Sequence, residues 1–513
     1  MQDRNRGEKR HNNILDSTGT KALRTCSAGI MSSATSPARP WFRLTTSDPK
    51  LDESVNVKLW LAGVERSMRM VFSKSNTYLG LHRMYDELIA FGTASNIVLP
   101  NFQNVIHHHS LTAGEYAIAT NADGVVDTLY REFQMTCGQM VKEFGTDRVG
   151  DNVRNAFTAG RLGQWFTVMH CIEPRADRDT GKRDNLNMPW KSVYFELGVN
   201  ETQLLRETGF KSFPALCPRW MLAGGDIYGS SPGMDALGDI KQLQHEQFRK
   251  GQAIDFMTKP PLQASGNMVN KEIDSLPGGV TYVDQVGAQS GVRNLFDTRI
   301  DLSHLLMDIN DVRERIRGAF FADLFLMLSG AADGRKTATE VAELHEEKML
   351  MLGPVSERLH NELLGPKIDM TFEYMVQAGM VPRPPDELNG MELNVEYVSV
   401  LAQAQRAVAT NSTDRYVMGL GQVAQFKPDV LDKLDADKWA DEYADMLGIN
   451  PELIVANDQV ALIRKQRAQA QQAAQQAAQM EQMAGAAQKL GTVQTSSGNA
   501  ANDVMQSLTG YTT

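Results

Sequence analysis

The hydrophobic period of the chain alternates between helical and strand-like. In residues 55–91 apolar side chains recur at helical spacing, first at Leu61, Val64, Met68 and Val71, then at Tyr78, Leu81, Tyr85 and Leu88. This predicts two short amphipathic helices. From about residue 94 the pattern becomes strand-like. Glu115–Thr120, an Asn121-Ala-Asp-Gly124 turn and Val125–Phe133 predict a hairpin, because Asp-Gly supplies the backbone freedom a tight turn needs. Gln134–Phe144 predicts a short helix. Trp165–Glu173 and Trp190–Leu197 predict further strands, with Phe166, Val168, His170 and Ile172 on one face of the first and the charged loop Arg175–Asn187 between them. Pro214, Pro218, Gly224-Gly225, Gly229 and Pro232-Gly233 mark a long irregular connection.

Helical periodicity returns at Met234–Phe256, where Lys259-Pro-Pro261 stops it. A small Gly- and Pro-punctuated unit follows, with a strand at Val280–Val283. Arg299–Leu328 then predicts a second long helix, striped by Ile309, Val312, Ile316, Phe320 and Leu324. A third begins at Thr337 or Thr339, with Glu340 placed for a capping box. Its stripe continues through Leu352, Val355, Leu359 and Leu363. Gly353-Pro354 and Gly365-Pro366 interrupt it, and each proline predicts a kink or break. Leu393–Val400 alternates as a strand. The N-terminal 50 residues are polar and predict a flexible or partner-dependent arm.

Towards the C-terminus, Gln466–Gln479 holds one residue, Arg467, that is neither Ala nor Gln. Small or apolar residues at Ala470, Ala473, Ala477, Met480, Ala484 and Ala487 step by three and four, which defines a heptad seam. So small a seam buries little area and needs neighbouring helices to persist, which points to an oligomeric bundle. A disordered low-complexity tail is the alternative. Gly491–Thr513 is rich in Ser, Thr, Asn and Gly and predicts a mobile end.

The 513 residues suffice for about three domains. Their net charge of −10 excludes a protein that grips nucleic acid over its whole surface, since that requires excess Lys and Arg. Cys26, Cys137, Cys171 and Cys217 lie far apart, which excludes a CxxC metal or redox site and predicts mostly buried free thiols in a reducing compartment. The N-terminus lacks the pattern of a signal peptide. The most apolar run, Ala319–Leu328, is half the roughly 20 residues a membrane span needs and contains Asp323, so a soluble chain without a membrane span is expected.

Gly330–Thr337 has the look of a phosphate-binding loop, but Arg335 stands where such a loop requires Gly directly before Lys336. An interhelix loop bearing two cations fits better. His107-His-His109 cannot turn three side chains onto one ion from a regular element and reads as a polar surface loop. His82 and His170, set among apolar residues, read as structural. Asp86-Glu87, Asp308/Asp311 and Glu346-Glu347 read as solvated helix faces. No nucleophile elbow or Ser/His/Asp or Cys/His constellation is evident, and no catalytic residue, metal or cofactor is expected.

From Gly19 to about Arg406 the chain resembles the head-to-tail connector, or portal, proteins of short-tailed (podovirus) bacteriophages. The resemblance is carried by Phe72-Ser-Lys-Ser-Asn76, Leu81-His82, Phe91-Gly92-Thr93, Gly114-Glu-Tyr116, Thr128–Phe133 and Trp190–Glu196. It continues through Pro218-Arg-Trp220, Gly225–Gly233, Lys259–Leu262, Leu276–Gly279, Arg313–Arg317, Thr337–Val341 and Val395–Val398. No one of these segments is diagnostic; their order and spacing are.

The resemblance implies an α+β, mainly helical portal fold and a ring, usually dodecameric, at one capsid vertex. Residues 1–230 would be the wing with its N-terminal arm, 231–257 and 299–328 the two stem helices, and 258–298 the clip between them. Residues 329–336 would be a tunnel loop, 337–400 the kinked helix and returning wing strand, and 401–455 the crown. Residues 456–490 would form a helical barrel and 491–513 a flexible tail. The implied partners are further copies of the chain, double-stranded viral DNA, the terminase, a tail adaptor, and capsid and scaffolding proteins. Arg335 and Lys336 would then be the channel's contacts to DNA. A nucleotide-driven motor component built on Gly330–Thr337, or a filamentous coiled-coil scaffold, are the alternatives.

Overall fold

Eight helices, a two-stranded ribbon and the inner residues Val98, Ile106 and Leu216 share the largest core. The computed structural model describes residues 14–48, 51, 54–182, 184–198, 203–259, 261–263, 293–294, 301–328, 352–388, 393–398, 416–446, 455 and 457–491. The chain divides into two compact units, 1–428 and 429–513. In the first, helix α1 (Thr18–Ala34) packs against α3 (Thr77–Phe91), and α2 (Val55–Lys74) shares the same core. The stripes Leu61/Val64/Met68/Val71 and Leu81/Tyr85/Leu88 are buried, as their spacing predicts. Strand β1 (Phe42–Thr46) pairs antiparallel with a strand at Leu393–Tyr397, and Trp41, Phe42 and Phe72 cluster beneath it with ring centroids 4.6–5.9 Å apart.

The N-terminal arm is therefore corrected over 18–46. Ala22, Cys26, Ile30 and Ala34 fall every four residues and bury one face of α1. These small side chains give a weak hydrophobic signal but let helices approach closely. At Gly29 an added Cβ would lie 2.2 Å from the Phe325 ring, so only hydrogen fits there.

Two sheets follow. Strands β2 (Ser95–Asn101), β3 (Val105–Leu111) and β9 (Ala215–Leu216) form one, in the order β3-β2-β9. The other runs β4 (Tyr116–Thr120), β5 (Val126–Thr136), β6 (Trp165–Pro174), β7 (Trp190–Glu196) and β8 (Leu204–Phe210), antiparallel throughout. The predicted hairpin is β4–β5, with Asn121 Oδ1 accepting from the amides of Asp123 and Val125. The predicted helix at Gln134 starts later. Gln134–Thr136 still pair with Trp165–Thr167, and a Thr136/Gln139 capping box opens α4 (Cys137–Phe144). Helices α4 and α5 (Asp151–Thr158) cover Val168 and Tyr194. Ile118, Leu129 and Ile172 pack instead against Ile97 and Ala215 of the smaller sheet. The five-stranded sheet thus has two separate cores on one face. Strand β8 gave no sequence signal.

Helices α6 (Pro232–Asp235) and α7 (Leu237–Thr258) replace the single predicted helix, and α7 ends where Lys259-Pro-Pro261 requires. Strands β10 (Leu262–Gln263) and β11 (Arg293–Asn294) pair antiparallel; the strand predicted at 280–283 lies outside the described residues. The helix expected over 299–328 is broken into α8 (Ser303–Ala319) and α9 (Ala322–Leu328), with Phe321 at φ 53° between them. That conformation costs about 1–2 kcal/mol. The break lets Phe320, Ala322, Leu324 and Phe325 all reach the core, whereas one straight helix would turn them over more than half its circumference.

The cap of the third helix is outside the described residues. Its continuation is α10 (Gly353–Leu359), a π-helical turn (His360–Leu364) and α11 (Gly365–Gln377). Each predicted break places a proline in the first turn of a helix, where its missing N–H does no harm. The second is absorbed by the π turn, with the Gly365 amide donating to His360 O five residues back. Strand β12 (Leu393–Tyr397) closes the ribbon with β1. In the second unit α12 (Ala436–Met446) precedes α13 (Asn457–Gly491), and Arg464 holds Asp437 with both guanidinium NH2 groups. The Ala/Gln stretch is thus helical.

One crossing fixes how the α3 end meets the connection after β9. Gly92, at φ 74°, would place a Cβ 2.0 Å from Gly229 O, and Gly229 would place one 2.4 Å from Gly92 O. Gly92→Ala is expected to cost about 3 kcal/mol or more, from left-handed strain plus a backbone clash. Gly114→Ala, with the same hand of φ but open space around it, should cost about 1–2 kcal/mol. Thermal-unfolding midpoints of the two variants check the difference.

Candidate functional site

Four of the segments that carry the resemblance, around Gly92, Tyr116, Pro218 and Gly229, come together at that crossing. Trp220 N donates to Gly92 O (2.8 Å), Gly229 N to Thr93 Oγ1 (2.9 Å), Ala94 N to Pro218 O (3.1 Å) and Tyr116 Oη to Thr93 O (3.0 Å). Ser231 Oγ donates to Ala90 O and accepts from Met234 N, which caps α6. Four stretches far apart in sequence thereby become one junction from which α7 departs.

Arg219 is the centre of this junction. Its side chain is 4% exposed, and it meets Glu362 in the π turn: Nη2 to Oε1 at 2.7 Å, Nε to Oε2 at 3.3 Å, and its own backbone amide to Oε2 at 2.8 Å. Nη2 also donates to Gly124 O in the β4–β5 turn (2.8 Å). One guanidinium thus ties the hairpin turn of the five-stranded sheet, the connection after β9 and the kinked helix, while the backbone of Arg219 bridges to Thr93 beyond α3. A bidentate, hydrogen-bonded pair is the geometry in which a desolvated charge pair holds. Nothing in the sequence linked Arg219 to Glu362; the signal available was a carboxylate between two Gly-Pro breaks.

The helix pair α7–α8 is fastened at its base. Asp16 Oδ2 accepts from Arg313 Nη2 (2.7 Å) and Nε (3.1 Å) and from Gln247 Nε2 (3.1 Å), while Oδ1 accepts from Thr18 N. Gln244 of α7 brackets the same turn, accepting from Leu15 N and donating to Asp16 O. Burial pulls the Asp16 carboxyl up, but the bonds from Thr18 and Arg313 outweigh it and hold it below the usual range. A lowered carboxylate stabilises above its unfolded value and is lost as pH falls, so this clasp weakens only in acid. Arg315 reaches Asp239 at 3.3 Å, joining α8 to α7 directly.

The histidine triplet is corrected. His107–His109 lie on β3, not in a surface loop, and His108 is 4% exposed. Its Nε2 lies 3.0 Å from Thr77 Oγ1 and 3.0 Å from Lys367 Nζ. Strand alternation explains it: β3 turns His108 inwards and His107 and His109 together on the other side, their rings 4.8 Å apart. His170 is structural as expected, bonded to Ser192 and Arg131 and stacked on Tyr194. His82 is instead partly exposed beside Asp86 (3.3 Å). Glu87 is not on a solvated face: it accepts from Ala113 N, and burial raises its carboxyl. Asp308 and Asp311 are exposed, whereas Glu346-Glu347 lie outside the described residues. Cys26, Cys137 and Cys217 are buried free thiols and Cys171 is half-buried.

Arg335 and Lys336 lie outside the described residues, as does the rest of Gly330–Thr337. Ala470, Ala473, Ala477, Met480, Ala484 and Ala487 all fall within α13; the first four are exposed, Met480 at 72%. Among the described residues, no group of His, Cys, Asp and Glu could hold a metal ion, and no helix is long and apolar enough to cross a membrane.

The class these elements define is a mixed scaffold of two sheets and a helical layer, clamped by buried charge pairs. Residues 1–455 match the family model described as bacteriophage head to tail connecting protein. The chain is 64% identical over 512 residues to the "Probable portal protein" of Bordetella phage BPP-1, covering 100% of this chain and 92% of that one. It is 46% identical over 495 residues to the "Portal protein" of Salmonella phage epsilon15, covering 96% and 89%. A chain of the virion of a native gene transfer agent particle aligns over 86% of this chain and 94% of its own, at a TM-score of 0.39 and 13% identity. The chain belongs to the bacteriophage head-to-tail connecting, or portal, proteins.

Glu362→Ala is expected to cost about 3–5 kcal/mol, because it strands Arg219 in the interior. Arg219→Met combined with Glu362→Leu should recover much of that loss. Thermal midpoints of the single and double variants measure the coupling.

Proposed function

We propose that copies of this chain close into a ring, twelve by the family's habit, at one capsid vertex, forming the channel through which double-stranded DNA enters and leaves. The observation that carries this reading is the family match over residues 1–455 together with relatives named as portal proteins, not as enzymes. The ring stands in the virion and is assembled in the host cytoplasm. It docks the terminase during packaging and a tail adaptor afterwards, within a shell of capsid and scaffolding proteins.

On this reading the sheets and the α1–α3 layer are the wing, α7 and α8–α9 the stem, and the residues between them, bracketed by β10 and β11, the clip. The kinked module α10–α11 and β12 return to the wing. Residues 401–455 are the crown, and α13 is one stave of a barrel. Leu237 and Phe248 support a ring neighbour: they are exposed on α7 three turns apart, on one helix face. The exposed Ala470/Ala473/Ala477/Met480 seam supports the barrel, since a 35-residue helix with so little to bury needs partners.

Charge sets how such a channel treats DNA. Twelve copies carry a formal charge on the order of −120, before paired groups are discounted. DNA carries about one negative charge per 1.7 Å of axis. A broadly acidic ring does not hold such a polymer; it lets it slide, with sparse cations as local contacts. Arg335 and Lys336, adjacent in the loop between the stem and the kinked helix, are those contacts. Replacing both by Ala is expected to leave rings intact and to reduce packaged-DNA yield or retention several-fold. Unchanged yield and retention in intact rings would contradict their role.

A further inference from the structure

Where α11 lies on β3, the interior is built of bases. Lys367 is 0% exposed, with Nζ 3.0 Å from His108 Nε2 and 5.1 Å from the centre of the Phe72 ring. The tautomer of His108 follows from its neighbours. Asn96 Nδ2 donates to Ser110 Oγ (3.0 Å), which leaves Asn96 Oδ1 to accept from His108 Nδ1 (2.9 Å). Nδ1 therefore bears the proton, and Nε2 offers its lone pair to the Lys367 amine and the Thr77 hydroxyl. Asn76 fixes the strand at this point, accepting from His108 N (2.9 Å) and donating to His108 O (2.8 Å).

The surroundings oppose any added proton. The groups reaching this pair from α2, α3 and β2 are Phe72, Asn76, Thr77 and Asn96, all without charge. From β3 the ionisable groups are His107 and His109, and Arg131 of β5 acts on His109. On α11 itself, Asp369 acts on Tyr397 of β12. Among the described residues no carboxylate acts on Lys367 or His108. Burial lowers both groups well below their ordinary values, and for His108 the neighbouring Lys367, His107 and His109 add to it.

We infer that Lys367 and His108 form a proton-operated latch: as neutral bases they hold the kinked helix on the three-stranded sheet, and proton uptake releases it. The latch stands shortly beyond Glu362, so its release loosens the kinked module that carries the partner of Arg219.

The direction with pH follows from the bases being lowered. A base with a depressed folded value stabilises most at high pH and loses that stability as pH falls. For Lys367 the loss starts below its ordinary value near 10.5; for His108 it starts below 6.5. Each proton taken up on opening raises the opening constant about tenfold per pH unit.

Hydrogen–deuterium exchange of the full-length protein, from about pH 6 to about pH 9 and corrected for intrinsic exchange, reads this constant in α11 and β3. The wild type should open about tenfold more per unit of acidification, more steeply below about pH 6.5. Lys367→Met, which keeps the volume and removes the base, should flatten the slope above about pH 6.5. An unchanged slope in Lys367→Met, or an equal slope in α4 and α5, overturns the latch. Should that variant fail to fold, a wild type without a slope overturns it just as well.

Discussion

The contact between Arg219 and Glu362 is the constraint on which the rest of the first unit rests. A buried guanidinium must be paired, and here its partner comes from a π-helical turn 143 positions away in sequence. To bring Glu362 there, the chain needs the extra residue that the π turn supplies just before Pro366. To bring Arg219 there, it needs two glycine backbones in contact at Gly92 and Gly229. Three irregularities, a kink, a glycine crossing and a hairpin turn, therefore answer one electrostatic demand. The regular elements inherit their positions from it.

Much of this fold is legible in the sequence where side chains are large and the period is clear. Leu61/Val64/Met68/Val71 and Ile309/Val312/Ile316 are stripes of that kind, and each is buried. Helix α1 escaped notice because its buried face is mostly Ala and Cys, which pack closely but contribute little hydrophobic contrast. The break at Phe321 has no local signal, since it serves packing on α1 rather than backbone preference. His108 misled in the opposite sense. Three polar residues in a row read as a loop, yet strand alternation sends only the middle one inwards.

The site was less legible than the fold, for a physical reason. Its two central contacts, Arg219–Glu362 and Lys367–His108, join residues more than a hundred positions apart, and periodicity reports only on near neighbours. Arg219 and Lys367 gave no warning that they would be buried, because long cationic side chains are ordinarily at the surface. What the sequence did carry was the set of segments around Gly92, Tyr116, Pro218 and Gly229, and these meet in space. The same sequence showed the acidic balance. That balance argues against a protein that grips DNA, and it suits one that DNA must pass through.

The central claim is that the chain works as a closed ring. Negative-stain microscopy of the purified full-length protein tests it most directly. The account predicts closed rings with an axial hole, about twelve subunits around. Fibres, or dispersed single chains at concentrations well above those of assembly, would contradict it.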